Sequence, residues 1–288
     1  MNEQATTMDT SGLKQQVKTQ SVWIVRYGLT KYPLVEFYGP FNSPLDPTDG
    51  IEHANAIAGK VRSDVMKLCS NSEPVHVYSS PFTRTAQTAQ IIAEALPGHA
   101  QVRVEEGLTE WQQKSLLVDP EGVITYPKSK HELFEDLKNI DLDYESVNPQ
   151  LSCSPQEQNA LVEESEEDLF NRCTITLDGI LKQRASNGDS FVIVSHAPCD
   201  QCIAVYFEGK VLTESDLPAW PLGGITRFSR AVYSDGSCGQ WQMDYYGNTD
   251  HMPGIYKPGL KAWSLPLLAK MYAVRRNVHT TDSLVASQ

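Results

Sequence analysis

Apolar residues along this chain form short continuous runs that alternate with longer stretches carrying a single apolar face. The runs at Val22–Arg26, Val75–Ser79 and Phe191–Ser195 have the length and β-branched content of buried strands, and Val102–Glu105 alternates as a further strand. Between these runs, apolar residues recur with the period of a helix that buries one face. One such stretch follows Asp49-Gly50 and a second follows Thr83. A third extends from about Glu166 to Gln183.

Strands that alternate with amphipathic helices predict parallel strand pairing, with helices packed on both faces of the sheet. The last part of the pattern differs, because Arg227–Tyr233 and Gly239–Tyr245 flank a turn at residues 234–237. Two strands joined by so short a turn predict an antiparallel hairpin. The sequence therefore predicts an α/β fold, a three-layer α/β/α sandwich whose mostly parallel sheet has an antiparallel edge hairpin.

The same pattern predicts the domain boundaries. Residues 1–19 and 276–288 lack apolar periodicity and are predicted to be flexible tails on one domain at 20–275. Residues 112–164 carry little periodicity and scattered Pro, Lys and acidic residues. We interpret them as an insertion, for which two arrangements stay open: an arch over a pocket, or a loosely packed excursion on the surface.

Composition and charge narrow the classes of partner. The formal net charge of −12 argues against general affinity for nucleic acid or for anionic membranes. No apolar run approaches the ~20 residues that span a bilayer, and the N-terminus has no apolar core of a secretory signal. The six cysteines have irregular spacing, which does not indicate a disulfide framework. These features predict a reduced, cytoplasmic protein.

Candidate chemistry follows the predicted strands. Arg26 and Tyr27 end the first strand, and His196 follows a later one. In α/β sheets the carboxyl ends of the strands are where ligands bind. Arg84 lies early in the second helix, and a guanidinium donates in pairs to tetrahedral oxyanions. Taken alone, Arg26 and Arg84 are more typical of solvated side chains than of a ligand site, and a lone His at such a position is often a structural hydrogen-bonding group.

The segment Arg26-Tyr27-Gly28 resembles the Arg-His-Gly signature of the histidine phosphatase (phosphoglycerate-mutase-like) superfamily, with Tyr27 at the position of the nucleophilic His. Segments at 78–89, 107–111 and 192–197 resemble, in the same order, those that supply the family's second Arg, its acid and its second His. The resemblance extends to the subgroup of the Sts and ecdysteroid-phosphate phosphatases. It implies phosphate binding by Arg26, Arg84 and His196, with Glu110 as the acid.

Tyr27 decides which function the resemblance predicts. A phenol, with a usual pKa of about 10, is mostly protonated at neutral pH and is a poor nucleophile. Its ring is also longer than an imidazole and would enter the space that a phosphate needs. The leading hypothesis is therefore a pseudophosphatase that binds a phosphorylated small molecule, a phosphoprotein or another protein partner. Two alternatives stay open: a phosphomonoester hydrolase with a non-standard nucleophile, and a scaffold whose pocket is filled.

The remaining predictions concern cysteines, cofactors and assembly. Cys199 and Cys202 form a Cys-x-x-Cys pair after His196. One interpretation is redox activity, and the favoured interpretation is chance pairing in a helix. A zinc site would need further ligands of matching spacing, so we predict neither a metal nor a cofactor. Relatives in the same subgroup form dimers, so the resemblance allows a homodimer.

Overall fold

The computed structural model describes residues 14–31, 42–69, 73–113, 127–149, 163–184, 188–209 and 220–252. The strands are β1 (Gln16–Arg26), β2 (Val75–Ser79), β3 (Val102–Val104), β4 (Ser190–Ser195), β5 (Ile225–Tyr233) and β6 (Gln242–Asn248). The helices are α1 (Asp49–Leu68), α2 (Thr83–Ala95), α3 (Lys130–Asp136), α4 (Glu166–Arg184) and α5 (Ala197–Glu208), with a short 3₁₀ helix at Glu106–Leu108.

These strands form one sheet in the order β3-β2-β4-β1-β5-β6. The first four are mutually parallel, whereas β5 pairs antiparallel with β1 and β6 pairs antiparallel with β5. The predicted α/β class, with a mostly parallel sheet and an antiparallel edge, is confirmed. β4 is buried along its whole length, as a strand between two parallel neighbours and two helical layers must be.

The core lies on both faces of the sheet, because successive side chains of a strand point to opposite faces. Val22 and Ile24 of β1 pack in one cluster with α4 and α5, whereas Trp23 and Val25 pack in the other with α1 and α2. The apolar positions that predicted α1 are buried in the second cluster: Ala54, Ile57, Ala58, Val61 and Val65. The sandwich therefore has three layers.

The predicted start of the first strand at Val22 is wrong, because β1 begins at Gln16 and so includes residues that the sequence predicts as part of the tail. Residues 16–21 pair with β5 from Tyr233 to Ser229, and this pairing uses backbone groups rather than apolar side chains. The hairpin also differs from the prediction, since β6 begins at Gln242 and continues to Asn248. The rest of the predicted tails, 1–13 and 276–288, lies outside the described residues.

Part of the predicted insertion is ordered against the edge of the sheet. α3 begins with a capping box in which the Ser129 and Glu132 side chains satisfy each other's backbone N–H groups. Leu133 is fully buried in the cluster shared with α2, and Ile140 bridges Val102 of β3. Residues 127–149 therefore pack beside β3, while 114–126 and 150–162 lie outside the described residues. Within the described part of the chain, no helix is both long enough and apolar enough to cross a bilayer.

Candidate anion site

The register of the two central strands brings Tyr27 and His196 together. Arg26 pairs with Ser195 in the parallel β1–β4 ladder, so the residues that follow them leave the sheet side by side. The rings of Tyr27 and His196 meet edge to face with their centroids 5.6 Å apart. Gly28 then allows the chain to pass under α1, since a Cβ at Gly28 would lie 2.8 Å from the carbonyl oxygen of Gly50. The two strand ends thus open into one site.

Arg84 reaches this site from the first turn of α2. Its guanidinium carbon lies 4.7 Å from the ring centroid of Tyr27 and 4.7 Å from that of Phe82, so the cation is held between two aromatic faces. The residue is only 3% exposed. Contacts of this kind add stabilisation when the cation is removed from water. The stacking therefore fixes the Arg84 guanidinium beside Tyr27.

Glu110 comes from the segment after β3 and meets both Arg84 and His196. Its Oε2 accepts a hydrogen bond from Arg84 Nη2 at 3.2 Å and lies 2.9 Å from His196 Nδ1. Its Oε1 accepts from the backbone N–H of Trp111 at 3.1 Å. The segment is held by the buried Arg172, whose Nη1 donates to the carbonyl oxygens of Gly107 and Thr109. Glu110 is thus a positioned carboxylate.

The protonation states follow from burial and neighbours. Burial opposes ionisation of Glu110, but the hydrogen bond from His196, the charge of Arg84 and the Trp111 N–H outweigh it and lower its pKa. Burial lowers the pKa of His196 to about 4, against the opposing influence of Glu110. At neutral pH the carboxylate is therefore ionised and the imidazole is neutral. In this state Glu110 offsets the charge of Arg84, whereas no ion pair joins Arg26 to a carboxylate in the described part of the chain.

Arg26 completes the cluster and is 4% exposed. Its Nη1 donates to the carbonyl oxygen of Trp220 at 2.7 Å, and its guanidinium carbon lies 5.7 Å from the centroid of the Tyr27 ring. Its Nε has no hydrogen-bond partner among the described residues. A buried guanidinium with an unused donor can still bind an acceptor that the structure does not contain.

The structure brings all five predicted site residues, Arg26, Tyr27, Arg84, Glu110 and His196, into one cluster. Tyr27 is 3% exposed, and its ring lies against both guanidiniums and the edge of His196. The phenol therefore fills the centre of the group of cations. This arrangement can hold an oxyanion only where the ring of Tyr27 and the carboxylate of Glu110 leave room for it.

Sequence reasoning missed two residues of this region. Asp200, in the first turn of α5, is fully buried, and neither of its carboxyl oxygens has a partner among the described residues. Burial raises its pKa well above the ordinary value, and Arg26 only partly opposes this rise. Ser80 is also fully buried and hydrogen-bonds His196. The sequence signal for Asp200 was an acidic residue within a largely apolar helical stretch. For Ser80 there was no signal beyond its place in the 78–89 segment.

The Cys-x-x-Cys pair is buried in α5. The Cys199 thiol donates to the Thr109 carbonyl oxygen at 3.1 Å, next to Glu110. Burial raises the pKa of both Cys199 and Cys202, which keeps the unreactive thiol form. Among the described residues, no group of His, Cys, Asp and Glu has an arrangement that could hold a metal ion. The pair therefore has a packing role in this structure.

Comparison with known proteins identifies relatives of the chain. The sequence model of the histidine phosphatase superfamily (branch 1) matches residues 22–240. The Drosophila melanogaster ecdysteroid-phosphate phosphatase is 34% identical over 124 residues, which is 42% of this chain and 15% of that protein. The human ubiquitin-associated and SH3 domain-containing protein A is 28% identical over 180 residues, which is 58% of this chain and 24% of that protein. The chain thus spans less than a quarter of the length of either relative.

A solved structure has the same fold. The ecdysone phosphate phosphatase from Bombix mori, in complex with tungstate, superposes with a TM-score of 0.56 at 16% identity. The match covers 85% of this chain and 96% of that one. At this identity the likeness concerns the fold, and the chemistry of the site rests on the residues described above.

Proposed function

This chain belongs to branch 1 of the histidine phosphatase superfamily, and on that premise we propose that it is a catalytically impaired member, a pseudophosphatase. Its site binds the phosphate group of a small molecule or a phosphoprotein without efficient hydrolysis. One observation carries this proposal: the side chain that follows Arg26 and faces Arg84 and His196 is the phenol of Tyr27, buried to 3% exposure.

The chemistry of the site supports binding over turnover. Phosphoryl transfer needs cations on the phosphate oxygens and a nucleophile in line with phosphorus. Arg26, Arg84 and the Nδ1–H of His196 supply donors for an oxyanion. A protonated phenol is a weak nucleophile, and Glu110, ionised at neutral pH, has no proton to give to a leaving oxygen. We extend the proposal to a cytoplasmic setting. We also extend it to a homodimer, and light scattering on the purified chain would test this assembly.

A thermal-shift titration tests anion binding. The probes are phosphate, sulfate and tungstate, the last because the Bombix mori relative is in complex with it. A bound anion stabilises the folded state by about 2.7 kcal/mol at a hundredfold excess over the dissociation constant. We expect the shift to vanish in Arg26→Ala and in Arg84→Ala. Arg103→Ala is the matched control, because Arg103 pairs with Asp141 beside β3 and makes no contact with the site.

Turnover tests the catalytic half of the proposal. We expect hydrolysis of a generic aryl phosphate to stay near background in the wild type and to rise in Tyr27→His, with a phosphohistidine that can be trapped. A metal-independent wild-type rate equal to that of Tyr27→His, and abolished by Arg26→Ala, would instead assign a working phosphatase. If Tyr27→His folds and stays inactive, other groups of the site have also lost their catalytic positions.

The second candidate function is a scaffold with a filled pocket. It is favoured by the stacking of Arg84 on the Tyr27 ring and by the carboxylate of Glu110, which already takes the donors of Arg84 and His196. The two candidates differ in one measurement. An unchanged melting temperature at tens of millimolar phosphate, sulfate and tungstate would assign the scaffold and reject the anion site.

A further inference from the structure

Ser80, His196 and Glu110 form a continuous chain of hydrogen bonds through the buried part of the site. Ser80 Oγ lies 2.8 Å from His196 Nε2, and His196 Nδ1 lies 2.9 Å from Glu110 Oε2. Ser80 and His196 are fully buried and Glu110 is 5% exposed. Both nitrogens of the imidazole are therefore in contact with polar groups of known chemistry.

The two contacts select one tautomer of the ring. The Glu110 carboxylate can only accept, so Nδ1 must carry the proton that it donates; otherwise two lone pairs would face each other at 2.9 Å. Arg84 Nη2 lies 3.1 Å from the same nitrogen and is itself a donor, so this contact is no hydrogen bond when Nδ1 is protonated. Nε2 is then left with a lone pair, which accepts from the hydroxyl of Ser80.

Backbone and side-chain bonds hold Ser80 in place for this donation. Its N–H donates to the Val194 carbonyl oxygen at 3.0 Å, which ties the end of β2 to β4. Its carbonyl oxygen accepts from Ser79 Oγ at 2.8 Å and from Thr85 Oγ1 at 2.9 Å. These bonds fix the backbone of Ser80 beside the ring, and its hydroxyl oxygen lies 2.8 Å from His196 Nε2.

We propose that Ser80 is a positioning residue of the anion site: its hydroxyl donates to Nε2 and holds His196 in the Nδ1–H tautomer, so that the ring presents an N–H on the side of Arg84 and Glu110. An arriving oxyanion displaces the carboxylate of Glu110 and accepts this N–H. The hydrogen bond at one ring nitrogen sets the state of the other. This step rests on the proposed function, namely that the side of Arg84 takes the anion.

The same three residues have the order of a Ser-His-acid triad, but the topology argues against attack by Ser80. Ser80 follows β2, His196 follows β4 and Tyr27 follows β1, and the strands lie in the order β2-β4-β1. Ser80 is thus on the opposite side of His196 from Tyr27 and Arg26, and its hydroxyl is fully buried. The hydroxyl orients the imidazole, and the anion meets the other nitrogen.

Nitrogen-15 NMR of histidine-labelled protein tests the tautomer directly, with the His196 signals assigned from His196→Gln. We expect Nδ1 to carry the proton in the wild type. Glu110→Gln sharpens the test, because an amide can accept or donate and no longer requires the proton on Nδ1. Arg84 Nη2, 3.1 Å from Nδ1, then favours a lone pair on that nitrogen, and a Ser80 hydroxyl that donates to Nε2 opposes it. We expect Nδ1–H to persist in Glu110→Gln and to be replaced in part by Nε2–H in Glu110→Gln/Ser80→Ala. A wild-type ring protonated at Nε2, or a double variant with the tautomer of Glu110→Gln, would overturn the proposal.

Sulfate affinity gives the functional measurement. Losing one neutral hydrogen bond that orients a binding group corresponds to about a fivefold weaker affinity, which we expect for Ser80→Ala. Ser80→Cys keeps a weaker donor, so its sulfate affinity should lie between those of the wild type and Ser80→Ala. Ser190→Ala is the matched control, since Ser190 is also buried but lies at the other end of β4, where its hydroxyl contacts Ser21 and Cys69. Wild-type affinity in Ser80→Ala would refute the positioning role. Absence of sulfate binding in every variant would reject the proposed function, and the tautomer measurement would still decide the role of Ser80.

Discussion

Glu105 and Glu110 lie in the same short segment of the chain, and both carboxylates are buried, but their surroundings differ. Glu105 accepts hydrogen bonds from the side chains of Tyr144 and Ser146 and from the backbone N–H groups of Gly107, Val147 and Asn148. Glu110 accepts from Arg84, His196 and one backbone N–H, and beside it Arg26 Nε and the carboxyl of Asp200 have no partner among the described residues.

The difference separates a structural carboxylate from one in the proposed anion site. A buried polar group whose bonds are all made costs little and rigidifies its surroundings. A buried donor or acceptor without a hydrogen-bond partner lowers the stability of the fold. Such a group calls for another explanation, such as a ligand that it binds. The end of β3 thus resembles a completed interior, where Glu105 ties residues 144–148 to the sheet. The ends of β1 and β4 leave buried polar groups without partners among the described residues, which is what the proposed anion site would use.

Removing the charge of Glu105 should cause the largest effect. Glu105→Gln places an amide N–H₂ against several donors, and we expect the free energy of unfolding to fall by about 3–5 kcal/mol in urea titrations. Glu145→Gln is the control, because its side chain is 87% exposed and an ion pair of so exposed a group contributes little to stability. The sulfate-induced stabilisation should persist in Glu105→Gln. A loss smaller than that of the control would contradict the structural role.

Stability should fall in mild acid because of His196. Its folded pKa of about 4 lies below the ordinary value of 6.5. Between these pH values the unfolded chain binds a proton at this imidazole and the folded chain does not. Stability is therefore fully present above pH 6.5 and declines towards pH 4, by about 3 kcal/mol for this depression. Urea unfolding across this range should show a smaller slope in His196→Gln. Some slope should remain there, since burial also lowers the pKa of His53 and His251. An unchanged slope would mean that His196 is protonated in the folded site.

Asp200 should behave in the opposite sense. Its folded pKa is raised, so its contribution to stability is lost as pH rises above the ordinary value of 3.8. We expect Asp200→Asn to be about as stable as the wild type at pH 4 and more stable at pH 7 by about 1–3 kcal/mol. The exposed Asp143→Asn should show no such gain. A variant less stable than the wild type at pH 7 would mean that Asp200 is ionised and pairs with a cation.

Glu110→Gln gives the smallest predicted effect and compares most directly with Glu105→Gln. The substitution removes the negative charge that already takes donors of Arg84 and His196. We expect sulfate to bind about tenfold more tightly, which is about 1.4 kcal/mol, in a calorimetric titration at pH 7. Glu105→Gln should leave the affinity unchanged. Equal affinities in wild type and Glu110→Gln would place the anion away from this carboxylate.

Much of the fold and of the candidate site could be predicted from local pattern. The apolar run at Val22–Val25 predicts a strand buried on both faces, and the residues that follow it and β4 are those that meet in the structure. What could not be predicted depends on partners far away in the chain. Residues 16–21 are polar apart from the exposed Val17 and become a strand only because β5 pairs with them. α3 carries a capping box at Ser129, but residues 112–164 lack the longer apolar period that predicts a helix.

The sequence by itself determined the order of strands and helices, the α/β class and the identity of the residues at the strand ends, because these follow from hydrophobic period and residue type. Only the tertiary structure decided which buried polar groups are satisfied. Glu105 meets donors that follow it by 39 to 43 positions, and His196 meets Ser80 across 116. No local pattern encodes such contacts, because burial and hydrogen-bond partners exist only once the layers have packed. The same packing set the protonation states of Glu110, His196 and Asp200.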